Sequence, residues 1–387
     1  SSFLATSVLL AGSCSGTSLA DRSQPDSFSI PSCAWPRKLG DVPSNAISCS
    51  PNRGVALGGF GAGSFMYNIS GSFGPWEMKP CDMREESFWK ALPQAAFHYY
   101  EKCGHDAAPL AKCLSTDSDL LQAWDKLKKG DATYHALQPR GWIVYSLFAS
   151  RPSVRFFSPI IARNYKETSY PVAVFEYEIL NPTEQSITVA VMLTWPQAPY
   201  STVSRKGPRC SLREEGDVSA VVLKAVDPSN SAETQNSEWC IATARTKSDD
   251  LVSYALSWDG NGDGGDIWAD FADDGELGNK ALDDSMSAAA IAVKVTLKPG
   301  ERRSVPFVVS WDFPVVEFSS GTQWWKKYTE YYGRDSDNSF RIAADVLRNR
   351  GEWERRVDDW MRPFVENPNY PDWLKCAAFN ELYYNQF

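Results

Sequence analysis

The sequence of 387 residues is poor in histidine, with only His98, His105 and His135. None sits at metal-ligand spacing from a cysteine or another histidine, which argues against a zinc site. There is no C-x-x-C pair. No G-x-S-x-G elbow of a serine hydrolase is present either. Basic stripes are missing: 39 Lys and Arg stand against 48 Asp and Glu, for a net charge of −9, so no electrostatic footprint for nucleic acid exists. Long apolar runs are scarce as well. The segment Phe3–Ala11 (FLATSVLLA) is too short to span a bilayer, so any membrane association is expected to be peripheral. Internal repeats and low-complexity stretches are lacking.

What is present is an ordinary globular composition. Hydrophobic residues make up 43% and charged residues 22%, and the length suggests two structural units. Fifteen Trp admit two readings: stacking platforms for sugar rings, or the large aromatics of a sheet core, which account for most of them. Nine cysteines (Cys14, Cys33, Cys49, Cys81, Cys103, Cys113, Cys210, Cys240 and Cys376) leave at least one outside any set of pairs. Their irregular spacing imposes no disulfide framework and leaves the pairing open; Cys103 and Cys113 are one pair that could close a loop. The Phe3–Ala11 stretch reads as the tail of a signal peptide or as an N-terminal strand. With the sequon Asn68-Ile69-Ser70, a candidate glycosylation site, it leans toward a secretory, organellar or extracellular route.

Residues 1–53 read as an extended leader, rich in Pro and Ser from position 21. From 54 to 320, short alternating segments are separated by turn residues, among them Gly141–Leu147, Val172–Leu180, Ile187–Trp195, Ala220–Ala225, Ala288–Leu297 and Ser304–Trp311. Such segments at this spacing predict a large antiparallel β-sandwich. The period changes after 320. A helix is predicted over 338–361, capped by Asp337 or Asn338 and ended by Pro363. A second is predicted from Pro371 through Glu381 to the end.

Three features invite chemistry. The run Gly54–Gly63 does not fit G-x-G-x-x-G and lacks a P-loop lysine, so it is expected to serve tight backbone crossings. Asp259, Asn261 and Asp263 alternate like an EF-hand loop, with Asp270 at the position of the closing acid; the two readings are a calcium site and a solvated acidic turn. On the terminal helix, Glu381 shares a wheel face with Leu374, Ala377 and Ala378, where a carboxylate must be desolvated unless it is paired or lines a cavity. Its bland counterpart is a structural ion pair; its functional one is a tuned catalytic acid.

Ordered segments then resemble the bile-acid-type β-glucosidase and non-lysosomal glucosylceramidase family, glycoside hydrolase family 116. They are Gly54–Gly63, Phe73-Gly-Pro-Trp76-Glu, Tyr134-His-Ala-Leu-Gln-Pro-Arg140-Gly-Trp142, Ser158–Tyr165 with Ser169–Val174, Trp353–Trp360, and Leu374–Tyr384 with Asn380-Glu381-Leu382. The resemblance implies a mainly β chain: an antiparallel β-sandwich over 54–320, then over 321–387 the first helices of an (α/α)6 barrel. It implies a retaining β-glycosidase acting on β-glucosides or glucosylceramide-like lipids, with Glu381 as nucleophile and no required cofactor. The family's acid/base Asp matches no residue upstream. The resemblance therefore implies that a companion barrel segment or chain completes the site, and that these residues alone are inactive. The alternative is a non-catalytic carbohydrate-binding or structural β-sandwich module.

Overall fold

The computed structural model describes residues 29–42, 53–78, 91–196, 209–224, 237–281, 283, 288–317, 321–335 and 337–385. The Phe3–Ala11 stretch lies outside them. The early strands are β1 (Trp35–Lys38), β2 (Gly54–Leu57), β3 (Ser64–Asn68), β4 (Phe73–Glu77), β5 (Ala96–Cys103), β6 (Leu110–Cys113), β7 (Ala132–Leu137) and β8 (Arg140–Tyr145). There follow β9 (Arg151–Phe157), β10 (Val172–Leu180), β11 (Ile187–Pro196), β12 (Arg209–Glu215), β13 (Val218–Lys224), β14 (Glu238–Ala244) and β15 (Leu251–Trp258). Helix α1 (Gly265–Asp274) precedes β16 (Ala288–Leu297), β17 (Arg302–Asp312), β18 (Val315–Glu317) and β19 (Gln323–Trp325). The chain closes on α2 (Thr329–Tyr332), α3 (Ser339–Val365), α4 (Asp372–Asn380) and a 3-10 turn, Glu381–Asn385.

The fold is mainly β, built on large antiparallel sheets. A nine-stranded sheet runs β1-β7-β8-β9-β10-β17-β14-β13-β12 and faces a five-stranded one, β15-β16-β11-β5-β6. Strand alternation sorts the side chains. Phe175, Tyr177 and Ile179 of β10, Phe307 and Val309 of β17, and Val189, Val191 and Leu193 of β11 fill the space between the sheets. The opposite faces are buried too. Ala190 and Met192 of β11 and Ala288, Ala290 and Ala292 of β16 lie under Ile267 and Phe271 of α1. Small residues there let the helix approach closely. A third sheet, β2-β3-β4, adds Phe65, Tyr67, Phe73 and Trp76 to the same inter-sheet core.

Within the extended 1–53 leader, residues 35–38 pair into the sheet as β1, with Trp35 opposite Ala136 and Lys38 opposite Thr133 on β7. Cys103 and Cys113 are not bridged. Antiparallel pairing of β5 and β6 sets Cys113 opposite His98, five positions and about 17 Å along the strand from Cys103.

Helix α3 covers the outer face of the nine-stranded sheet. Ile342, Ala343, Val346, Leu347, Trp353 and Val357 pack on Val172, Val174, Cys240, Ala242 and Val308. Its start has no side-chain cap of its own; Asn338 holds the N-cap place without capping. The sheet supplies the cap instead. Glu238 Oε1 accepts the Ser339 N–H at 2.8 Å, and Asp312 Oδ2 accepts the Asn338 N–H at 3.0 Å and its Nδ2 at 3.1 Å. Tyr328 donates to Asp312 Oδ1 at 2.8 Å. Farther along, Arg140 pairs with Asp358, Arg155 with Glu354, and Glu176 with Arg350. Pro363 lies inside the helix, which runs to Val365. Proline removes one helical hydrogen bond, and the packing of Met361 and Phe364 in the same cluster offsets that loss.

The glycine run does serve close backbone crossings. A Cβ on Gly59 would meet the Ser169 carbonyl carbon and the Tyr170 oxygen at 2.5 Å, and one on Gly58, at φ +131°, would meet Gly63 O at 2.3 Å. Gly59→Ala is therefore expected to cost about 3 kcal/mol or more, read as a lowered denaturation midpoint.

Burial, ahead of the neighbouring Asp312 and Asp337, raises Glu238 from 4.5 to about 7, against the Ser339 hydrogen bond that lowers it. The folded state then holds this proton more tightly than the unfolded chain. Stability contributed here is present below about 4.5 and is lost as pH rises toward about 7. Burial raises Glu354 to about 7 as well, in the same direction. The Glu238 contribution is on the order of 3 kcal/mol. Melting temperature should fall across this window, and Glu238→Gln, which keeps an acceptor for Ser339, should flatten the slope; an unchanged slope would contradict the assignment.

Candidate active site

Pro371, in extended conformation, precedes α4, and Asp372 occupies its first turn, where a carboxylate suits the exposed amide ends. The helix buries Lys375, Phe379 and Asn380. Phe379 meets Trp360 and Phe364 of α3 edge-on, at centroid distances of 5.6 and 5.8 Å. The opposite face stays open: Leu374 is half-buried, and Ala377, Ala378 and Glu381 are exposed. Trp373 beside them is 70% exposed. The wheel grouped Glu381 with its apolar neighbours correctly, but the face is not a buried one. The side that packs on α3 is the one bearing Phe379. Glu381 opens the 3-10 turn that follows α4.

The backbone at Glu381 is held from both sides. The preceding residue, Asn380, accepts the Gln138 N–H through Oδ1 at 2.9 Å and donates from Nδ2 to Cys376 Sγ at 3.1 Å. Gln138 lies at the tip of the β7–β8 hairpin, next to Pro139 across a cis peptide. Its side chain brackets Ala56 of β2, accepting the Ala56 N–H at 3.2 Å and donating to Ala56 O at 3.0 Å. Two residues after Glu381, Tyr383 packs on Ala56 and Met66. Tyr134 accepts the Val55 N–H at 2.9 Å and donates to Tyr67 O at 2.7 Å. Ser158 accepts the Gly58 N–H and donates to Val172 O, both at 2.7 Å.

Segments far apart in sequence thus meet around Asn380. The Gly54–Gly63 run, the Tyr134–Trp142 hairpin and Ser158 form a hydrogen-bonded floor, and the α4 end rests on it. An exposed carboxylate on a fixed backbone is what this arrangement offers chemically. The floor's roles were not readable from spacing: Gln138 and Asn380 are 242 residues apart, and only the fold joins them.

The carboxylates of the acidic segment accept hydrogen bonds from their own loop. Asp259 Oδ1 accepts the N–H groups of Asn261 and Gly262, both at 3.1 Å. Asp263 Oδ1 accepts the Gly265 N–H at 2.9 Å, where α1 begins. Asp270 lies within α1; its Oδ2 accepts the Gly278 N–H at 3.1 Å and lies 3.5 Å from Lys280 Nζ. Among the described residues, no group of three or more His, Cys, Asp or Glu is placed to hold a metal ion. The Asn68 amide is also engaged. Its Nδ2 donates to Ser72 Oγ at 3.0 Å and Gly74 O at 3.1 Å, so a glycan on that nitrogen would displace one of the two. No helix among the described residues is long and apolar enough to cross a membrane.

Two buried polar groups escaped the sequence reading altogether. Glu238 and Asp312 carry no motif and are set apart only by the helix they cap. His98 is neutral, its value lowered to about 3 by burial, with Nε2 at 3.1 Å from Thr194 Oγ1 and Trp124 edge-on at 4.5 Å.

Among solved structures, a putative kojibiose phosphorylase from human microbiome is similar over 91% of this chain and 42% of its own, at 7% identity and TM-score 0.39. A polysaccharide lyase matches 67% of this chain and 33% of its own, at 13% identity and TM-score 0.33. A family 36 α-galactosidase from Geobacillus stearothermophilus, in complex with raffinose, matches 67% and 40%, at 9% identity and TM-score 0.30. The chain spans less than half the length of each. The profile of the family described as beta-glucosidase 2, glycosyl-hydrolase family 116 N-terminal, matches residues 54–353. That match takes in every described strand except β1, with the glycine run, the Gln138 hairpin and the first half of α3, and by it the chain belongs to glycosyl-hydrolase family 116 as a glycosidase-related N-terminal domain.

Proposed function

We propose that this chain supplies the sandwich and the nucleophile of a retaining β-glycoside hydrolase acting on β-glucosides, including glucosylceramide-like lipids. The observation that supports it most is Glu381 itself: an exposed carboxylate whose preceding residue is clamped to Gln138, at the end of a helix whose Asn380-Glu381-Leu382 segment resembles the family's nucleophile motif and lies beyond the matched residues 54–353. In this reading Glu381 attacks the anomeric carbon and forms a covalent glycosyl-enzyme. A second carboxylic acid, about 5 Å away, protonates the departing oxygen and then activates water. That acid belongs to a companion helical segment or chain. The open face of α4, with Trp373, Leu374, Ala377 and Ala378 around Glu381, is where the companion would pack. No cofactor takes part.

The test supplies the downstream helical region, in cis or as a separate chain, and assays an aryl β-glucoside. Glu381→Gln should lower kcat by several orders of magnitude. A fluorinated glucoside that accumulates the covalent intermediate should label Glu381, read by peptide mass spectrometry. Full turnover in the variant would favour the non-catalytic carbohydrate-binding module. Asn380→Ala should lower kcat roughly 10- to 100-fold with little change in KM, because it loosens the nucleophile's backbone rather than the sugar contacts. Asn380→Asp, which keeps the acceptor for the Gln138 N–H, should recover part of that loss.

A further inference from the structure

Two thiols flank the hydrogen bonds that hold Asn380. Cys376 lies one helical turn before Asn380 and accepts its Nδ2 at 3.1 Å. Cys33 is 4% exposed and belongs to the same apolar cluster as Phe379. The register brings it there. Trp35 lies opposite Ala136 on β7, and Cys33 sits in the turn just before β1 (the Ala34 N–H donates to Pro31 O at 2.9 Å), on the side of the hairpin tip at Gln138, whose N–H Asn380 accepts. Cys33 also responds to the helix electrically: burial raises its value first, then Asp372, with Lys375 lowering it and Cys376 raising it again. Three groups on one edge of α4, Asp372, Lys375 and Cys376, thus act on this one sulfur. Both residues are thiols in this structure.

We propose that Cys33 and Cys376 form a reversible disulfide staple that ties the N-terminal segment to the nucleophile helix. The oxidant is a small-molecule disulfide of the glutathione type. The Cys376 thiolate, on the more open residue, attacks one of its sulfurs and expels one glutathione thiolate. The Cys33 thiolate then attacks Cys376 Sγ in the mixed disulfide and expels the second. One S–S bond forms in the protein and one breaks in the oxidant; two protein protons are released, and two thiols are produced from the oxidant. Burial holds both sulfurs above the ordinary thiol value, so exchange is slow at neutral pH and quickens on the alkaline side. The staple removes the thiol that Asn380 touches and fixes α4 against the sheet. It does not depend on the glycosidase reading.

The full chain is equilibrated in graded ratios of oxidised to reduced glutathione at mildly alkaline pH, quenched by alkylation and mapped by mass spectrometry. The expected product is a linked pair of peptides containing Cys33 and Cys376, lighter by two hydrogens and reversed by reductant, with a higher Tm than the reduced chain. In Cys33→Ser, which lacks the resolving thiol, Cys376 should end bearing one glutathione, with no rise in Tm. The proposal is overturned if wild-type Cys376 bears glutathione while Cys33 remains alkylatable. It is equally overturned if both stay alkylated at the oxidising end, or if Cys33 links to any other cysteine.

Discussion

Everything at the candidate site depends on how α3 begins. A 27-residue helix lies across the nine-stranded sheet, and its first amides are received by two carboxylates that the sheet itself projects, Glu238 from β14 and Asp312 from β17. Both are buried, and both are raised by burial before any other influence. An anion in that place is costly unless donors face it. The exposed amide ends of a helix are such donors, so helix and sheet each settle the other's unsatisfied groups. The apolar contacts of Ile342, Val346 and Val357 then follow along the outer face, and the ion pairs from Arg140, Arg155 and Glu176 set the helix's rotation about its axis. Exposed ion pairs contribute little. These are partly shielded, and their value is directional: only one rotation satisfies all three.

From that position, α4 inherits its own. Trp360 and Phe364 at the far end of α3 receive Phe379, which fixes the buried side of α4 and turns Leu374, Ala377, Ala378 and Glu381 outward. The Gln138 hairpin completes the placement by donating its Gln138 N–H to the Asn380 side chain. The site is a relay of docked surfaces, each defined by the previous one, and no single segment of sequence contains it.

That relay explains what could be read in advance. The strands β10, β11, β16 and β17 were legible because period-2 alternation is a local signal, and their observed bounds differ from the pattern by two residues at most. The change of period at α3 was equally plain. Its end was not, because a proline's cost is local while the packing that offsets it comes from elsewhere. β1 escaped notice because a four-residue strand with two exposed positions carries almost no pattern; its partner, β7, identifies it. The wheel at α4 found the right grouping around Glu381 but could not say which face the fold would cover, since Lys375, Phe379 and Asn380 form a competing face that happens to meet α3 and the hairpin. The alternating acids at 259–270 gave the strongest metal-like spacing in the chain, yet spacing cannot tell a ligand from a carboxylate that closes its own turn.

The pairing of β10 with β17 joins residues more than a hundred positions apart, with Val172 opposite Ser310. As the chain emerges from the ribosome, β10 waits for β17 before the central sheet can close, and contacts of such long sequence separation form slowly. Until then there is no Asp312 beside Glu238, no seat for α3 and no fixed place for Asn380. The order of synthesis therefore matches the spatial order: the candidate nucleophile follows every described strand of the sandwich in the chain and is positioned after them, so its geometry reports that the sandwich beneath it has finished folding.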